Sequence, residues 1–485
     1  MRQVTAYWGL LLLAAAGLAV EAQAQSKRLS LNVPALESQR FSLPNGLRVV
    51  LEADPSRRDV ALAVAYGVGS RDDPPGYQEL AHIAEHMAFQ GSRHLEAGEV
   101  LSLLEDVGGK GGALTFPDQT VYHMVVAAPH LPRLLWLESE RMAFTLEGLR
   151  AERLKDEVRV VRSELRERSS LGVMWQAVQR TMFPVGHPYH QGRDYEKNKA
   201  VEDYSIADVR WLMQEYYRPS NATLVLVGNF APVQARVLIE QYFGAIGEVE
   251  RPLQRTAVVP VEFGGVQQLL FQAPVFRDAI TLVWAVPCGD LRCRARLSLL
   301  ERLVGGGRLR SALDGVSDST HTQVEVDIRA EQALVYLSVK LDKGDEMTAV
   351  LQALDKVVRD LQQAPVPTDE LDTVRLGFAM DFLNGQESLV DRAVLLARYA
   401  HYGSYDLLRE VLRLNGADLQ EAARAYLPAG RRLEIYLESN VRADEEGQQE
   451  KSLGNLQVRQ LGLPGGAARE GHHAVAPRGA GGAGR

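Results

Sequence analysis

The sequence predicts an α+β chain of two structurally related domains, each a mostly antiparallel sheet packed with helices. Strand-like and helix-like segments follow one another without strict alternation, which argues against a doubly wound parallel sheet. DVALAVAYGVGS at 59–70 is echoed by DAITLVWAVPCGD at 278–290, each ahead of a helical stretch. That spacing is too long for a solenoid repeat and points to two similar domains. At 485 residues, 46% apolar and 24% charged, the chain has the composition of a globular protein too long for one core.

The first residues, MRQVTAYWGLLLLAAAGLAVEAQAQS, place Arg2 ahead of an apolar run that ends at Ala22-Gln23-Ala24. The run is short for a bilayer span and closes on a small-x-small site, so residues 1–24 are expected to be a signal peptide cleaved after about Ala24. Residues 25–246 then form the first domain. RFSLPNGLRVVLEAD (40–54) reads as a hairpin turning at Pro44-Asn45-Gly46, and 59–70 as a buried strand. Pro74-Pro75-Gly76 breaks the chain before a helix expected from about Tyr77 to Gln90. A strand is expected at 120–128, helices at 131–143 and 151–168, and a buried strand at 222–230. Residues 247–265 carry two prolines and no amphipathic period, the pattern of a linker. A second domain is expected over 266–440 and a disordered tail over 441–485, whose end is rich in Gly, Ala and Pro.

The formal charge of −8 and the lack of a dense basic block argue against nucleic acid as a partner. No stretch after the first residues suits a stable membrane anchor. The mature chain is expected in an exported compartment, a bacterial periplasm. Cys288 and Cys293 are the two cysteines; they can pair across a small loop or remain free thiols. Two thiols do not complete a tetrahedral thiolate site, so a metal here needs histidine and carboxylate ligands.

ELAHIAEHMAFQGS (79–92) supplies candidates. On a helix His82 and His86, four apart, face the same way and can offer two ring nitrogens to one ion. Glu85 lies near that face, where a general base for activated water would stand. An otherwise apolar helix buries these ionisable groups at a cost, which a metal would offset. Glu157 and Glu164 lie two helical turns apart on the later charged stretch. Taken alone, such a pair is ordinarily a solvated ion-pair former.

The order HIAEH followed by this E-x6-E helix resembles the pitrilysin-type zinc metallopeptidases, whose inverted motif is H-x-x-E-H. The resemblance extends through RFSLPNGLRVVL, DQTVYHMVV, FPVGHPYHQG and EYYRPSNATLVLVGNF, covering most of residues 40–245. It weakens to GGGRLRSALDG (305–315) in the second half. It implies one zinc ion per chain held by His82, His86 and Glu164, with Glu85 as general base and Glu157 steadying the site. It also implies a central cavity enclosed by the domains, and a peptide substrate added as a strand along Gly112, Ala113, Leu114 and Thr115. Two departures stand out. Gly112 replaces a family asparagine, and Asp314 and His321 occupy the places of an arginine and a tyrosine that hold substrate. The resemblance thus implies an exported zinc endopeptidase working with a homologous partner that supplies the missing pair, as a heterodimer or homodimer. The competing expectation is a non-enzymatic peptide-binding or assembly subunit that keeps the fold and the metal.

Overall fold

The hairpin expected at 40–54 forms from β1 (Ser38–Ser42) and β2 (Arg48–Ala53), antiparallel, with Gly46 left-handed at the turn. The computed structural model describes residues 38–461 except 168, 191–199, 248–250, 274–276, 320, 385–387, 404 and 440–456. The expected signal peptide and residues 462–485 lie outside the described residues. The remaining strands are β3 (Asp59–Tyr66), β4 (Lys110–Thr115), β5 (Thr120–Ala127), β6 (Ala222–Gly228), β7 (Val266–Ala273), β8 (Ala279–Pro287), β9 (Thr322–Ile328), β10 (Gln332–Lys340), β11 (Arg432–Ser439) and β12 (Gln457–Leu461). Helices in the first half are α1 (Leu80–Met87), α2 (Glu99–Glu105), α3 (Leu131–Gly148), α4 (Ala151–Glu167), α5 (Ser169–Met182), α6 (Ile206–Tyr216) and α7 (Pro232–Phe243). Those in the second are α8 (Leu291–Leu303), α9 (Leu309–Leu313), α10 (Met347–Gln363), α11 (Thr368–Asn384), α12 (Leu389–His401), α13 (Leu407–Arg413) and α14 (Gly416–Tyr426).

The fold is α+β, with two six-stranded mixed sheets in orders β1-β2-β6-β3-β5-β4 and β12-β7-β11-β8-β10-β9. In each sheet one neighbouring pair is parallel, β2–β6 and β7–β11, and the others are antiparallel. Apart from the outer strand, which is the first of its half in one sheet (β1) and the last in the other (β12), the two sheets repeat one topology, and β3 and β8, the strands of the sequence echo, hold the same place in each. β4 and β9 also correspond: each is an edge strand paired on one side.

One face of each sheet is covered by helices of its own half. The opposite faces are covered by exchange. Leu389, Ala393, Ala397 and Ala400 of α12 pack on Val50, Ala61, Ala63, Val121 and Val225 of the first sheet. The alanines let the helix axis approach the strands closely. In return Val178 and Met182 of α5, with Phe183 and Tyr189, pack on Leu269, Phe271, Val283, Leu334 and Leu433 of the second.

Three expectations change in detail. α1 is shorter than expected because Tyr77 N–H closes a turn onto Pro74 and Glu79 takes a left-handed conformation (φ 70°) ahead of the helix. Asp73 accepts the N–H groups of Glu79 (2.9 Å) and Ala81 (2.7 Å), satisfying the helix start from outside. The tail expected from 441 is not wholly without structure: Gln457–Leu461 pair antiparallel with β7 and complete the second sheet. Residues 251–265 contain no helix or strand but are held at both ends. The Arg255 guanidinium reaches Asp72 at 2.9 and 2.7 Å, and Val261 N–H donates to Gln332 Oε1 at 2.7 Å. Cys288 and Cys293 form a disulfide that ties the end of β8 to the first turn of α8.

Candidate metal centre

α1 and α4 build the centre. On α1, Leu80, Ile83, Ala84 and Met87 are buried in the first half's core, which turns His82 and His86 towards α4. Glu157 and Glu164 stand two turns apart on α4, roughly 10 Å along its axis. They meet the imidazoles from different sides. His86 Nδ1 lies 2.9 Å from Glu157 Oε2, and His82 Nδ1 lies 3.2 Å from Glu79 Oε2. A carboxylate at Nδ1 fixes the proton on that nitrogen and leaves each Nε2 lone pair free. Both Nε2 atoms face Glu164, at 3.3 Å for His82 and 3.8 Å for His86.

Donor atoms of His82, His86 and Glu164 all lie within 4.8 Å of one another. The edges of a zinc tetrahedron with bonds near 2.0–2.1 Å are roughly 3.3 Å, so two imidazole nitrogens and a carboxylate oxygen arranged this way fit zinc with a position to spare. Burial disfavours a charged His82, but the hydrogen bond to Glu79 and the charges of Glu79, Glu85 and Glu164 outweigh it and hold the ring's pKa above its ordinary value. The carboxylates thus create a site that attracts a cation, whether a proton or a metal.

Glu85 is 8% exposed and accepts a hydrogen bond from Thr115 Oγ1 at 2.5 Å. Tyr122 and Tyr217 join hydroxyls at 3.0 Å nearby, and Tyr122 stacks under the buried Arg141 guanidinium. Gln90 Nε2 donates to Glu157 Oε1 at 2.7 Å, holding the carboxylate that holds His86.

β4 brings Gly112, Ala113, Leu114 and Thr115 beside this centre, with its outer edge unpaired in the sheet and Leu114 half exposed. A Cβ at Gly112 would lie 3.3 Å from the ring of His123 on β5, its pairing partner, so the imidazole occupies the space where a longer side chain would start. Asp314 and His321 belong to the second half. Asp314 is exposed just after α9, and His321 is exposed just before β9, its carbonyl accepting Lys340 N–H at 3.1 Å. Sequence reasoning missed Glu79, Gln90 and the hydroxyl of Thr115 as partners of the central groups. Glu79 was accessible to it, being three residues before His82 within the stretch expected to be helical, although the structure places it just ahead of the helix.

Residues 48–184 match the insulinase (peptidase family M16) profile and residues 203–378 the peptidase M16 inactive domain. The chain is 25% identical over 416 residues to the zinc protease PqqE of Helicobacter pylori, spanning 82% of this chain and 92% of that one. It is 26% identical to insulin-degrading enzyme-like 2 of Arabidopsis thaliana over 70% of this chain and 37% of the relative. Among solved structures, a protease from Helicobacter pylori superposes with a TM-score of 0.75 at 23% identity, covering 83% of this chain and 99% of the other. The first half of the periplasmic protease PqqL from Escherichia coli superposes with a TM-score of 0.65 at 17% identity, over 82% and 91%. Pitrilysin superposes at 0.70 and 19% identity, over 87% of this chain and 46% of its own. With both profiles matched in order and the His-His-Glu cluster assembled between α1 and α4, the chain belongs to the M16 (insulinase/pitrilysin) peptidase family.

Proposed function

We propose that this chain is an exported zinc endopeptidase subunit that hydrolyses peptides or unfolded segments. The observation that carries the reading is the convergence of His82, His86 and Glu164 donor atoms beside a buried carboxylate at Glu85. His82, His86 and Glu164 would hold the ion, and Glu157 and Glu79 keep the imidazoles in the tautomer that binds it. When bound, zinc supplies the Lewis acidity that activates water and polarises a carbonyl. Glu85 takes the proton released by the attacking water and passes it to the leaving amine. The peptide adds as a strand to the unpaired edge of β4, so recognition runs mainly through its backbone and tolerates many sequences.

Asp314 and His321 stand where the family resemblance puts a substrate-holding arginine and tyrosine, and an aspartate would repel a developing oxyanion. We therefore read the chain as the zinc-bearing member of a pair, with a homologous subunit supplying that arginine and tyrosine and closing a chamber around the substrate. The same two residues favour the second reading, a peptide-binding or assembly subunit without catalysis. The apolar leader ending at Ala24 supports export to the periplasm, and among the described residues no helix is long and apolar enough to cross a membrane.

Glu85→Gln separates the readings. The enzyme reading expects peptide cleavage to vanish while zinc stays near one per chain. Hydrolysis that persists undiminished in Glu85→Gln, or is absent from wild type with or without the partner, would sink it.

A further inference from the structure

We infer that Thr115 is a positioning residue for the general base: its hydroxyl, carried on the strand that docks the peptide, orients the Glu85 carboxylate for proton transfer. The inference rests on the peptidase reading above and deepens it. Thr115 Oγ1 donates to Glu85 Oε2 at 2.5 Å. Among the described residues this is the side-chain hydrogen bond that Glu85 receives, and no lysine or arginine pairs with it. Its neighbours are engaged elsewhere: Glu79 with His82, Glu157 with His86 and Gln90, and Glu164 with both imidazoles.

A glutamate side chain has three torsions, and fixing it costs rotamer entropy. In an 8% exposed position without a lysine or arginine partner among the described residues, the direction of the carboxylate is set largely by what donates to it. One oxygen held by Thr115 leaves the other to receive the proton. No bond to Thr115 forms or breaks: the proton moves from water to the free Glu85 oxygen and then to the leaving nitrogen, while the threonine keeps its own.

The hydroxyl has a rigid carrier. Side chains alternate along a strand, so Thr115 and Ala113 share one face of β4; Ala113 packs on the first half's core, whereas Leu114 is half exposed. Beyond Thr115 the chain is clamped. Phe116 N–H donates to Gln119 O at 2.7 Å, and Phe116 lies under the Arg398 guanidinium of α12 at 3.8 Å. Ser70 and Arg71 N–H groups donate to the carbonyls of Phe116 and Pro117 at 3.2 and 3.0 Å. Gly69 permits this approach, because a Cβ there would fall 2.1 Å from Phe116 O. Asp118 then takes Arg71 Nη1 (2.7 Å), Tyr189 OH (2.7 Å) and Ala330 N–H (3.1 Å), the last from the β9–β10 turn of the second half. The strand that receives substrate on its open edge is therefore held at the end that grips the base.

The test compares Thr115→Val and Thr115→Ser in the full-length, zinc-loaded chain on a quenched fluorescent peptide. Valine keeps the shape and strand preference and removes the hydroxyl. The expected result is a fall in kcat on the order of 10- to 100-fold for Thr115→Val. KM and zinc content stay unchanged, and Thr115→Ser restores most of the rate. A double-mutant cycle of Thr115→Val with Glu85→Ala, read by urea unfolding of the zinc-free protein, is expected to show coupling, a readout independent of turnover. Wild-type kcat in Thr115→Val, a loss that serine does not restore, or an additive cycle overturns the inference while leaving the peptidase reading intact. A wild-type chain without chelator-sensitive cleavage, both alone and with the homologous partner, overturns both.

Discussion

Arg48 Nη2 lies 2.9 Å from His401 Nδ1, joining β2 of the first half to the last residue of α12 from the second. The guanidinium can only donate, so the ring must accept, and it is neutral in the fold. Burial, followed by the charges of Arg48, Arg255 and Arg71, lowers the pKa of His401 to about 3. The unfolded chain binds this proton near pH 6.5, so the contribution is present at neutral pH and is lost as pH falls from about 6.5 towards 3. Between pH 7 and 5 the loss is at most about 2 kcal/mol. Thermal unfolding across that range should show a falling midpoint, and His401→Gln should flatten the slope. A slope unchanged by the substitution would remove His401 from the explanation.

Glu157 fixes His86 through Nδ1 and is itself fixed by Gln90. Glu157→Gln should weaken zinc binding by roughly 10- to 100-fold without abolishing it. Glu164→Gln, which alters a proposed ligand, should cost more. Competition with a fluorescent chelator gives both affinities, and equal losses would contradict the different roles of the two carboxylates.

The exposed Asp314 and His321 lead to a prediction about activity in isolation. The purified chain should cleave a quenched peptide slowly and gain rate when a homologue carrying the arginine and tyrosine is added. Rapid turnover by a homogeneous preparation would show that the partner is unnecessary.

Glu301 on α8 accepts Val326 N–H of β9 at 3.1 Å, and burial raises its carboxyl to about 6. Here the sign is reversed. The fold prefers the protonated acid, so stability declines as pH rises from the ordinary carboxylate range through about 6. Glu301→Gln can still accept the amide, and should raise the melting temperature above pH 6 with little effect near pH 4. A uniform shift at both pH values would mean that packing, not charge, dominates.

The histidines of the His-His-Glu cluster were legible in the sequence because they are local, whereas Glu164 joined them only through the family resemblance. His82 and His86 share a helical face by spacing alone, and Glu157 and Glu164 share another two turns apart. The echo between 59–70 and 278–290 likewise announced the repeated topology, since buried strands in equivalent places need similar apolar runs. Thr115 could not be assigned to Glu85 this way: thirty positions separate them, and their meeting depends on how β4 crosses α1. Glu79 has a readable place, but its left-handed backbone arises from the Asp73 cap and the Pro74 turn. The pairing of Gln457–Leu461 was missed because that segment lies in a polar, glycine-bearing stretch and gains its strand form from β7. The crossing of α12 has no linear signal. Its alanine face is an unremarkable helical stripe until the first sheet is beneath it.

That crossing, with its counterpart at α5, makes the join between the halves more than a tether. Severing the backbone within 251–265 would leave two fragments still clasped, each with a helix lodged on its neighbour. Either fragment produced alone would present a bare apolar sheet to water, a surface prone to aggregate. The smallest heritable piece of this architecture is therefore the interlocked pair.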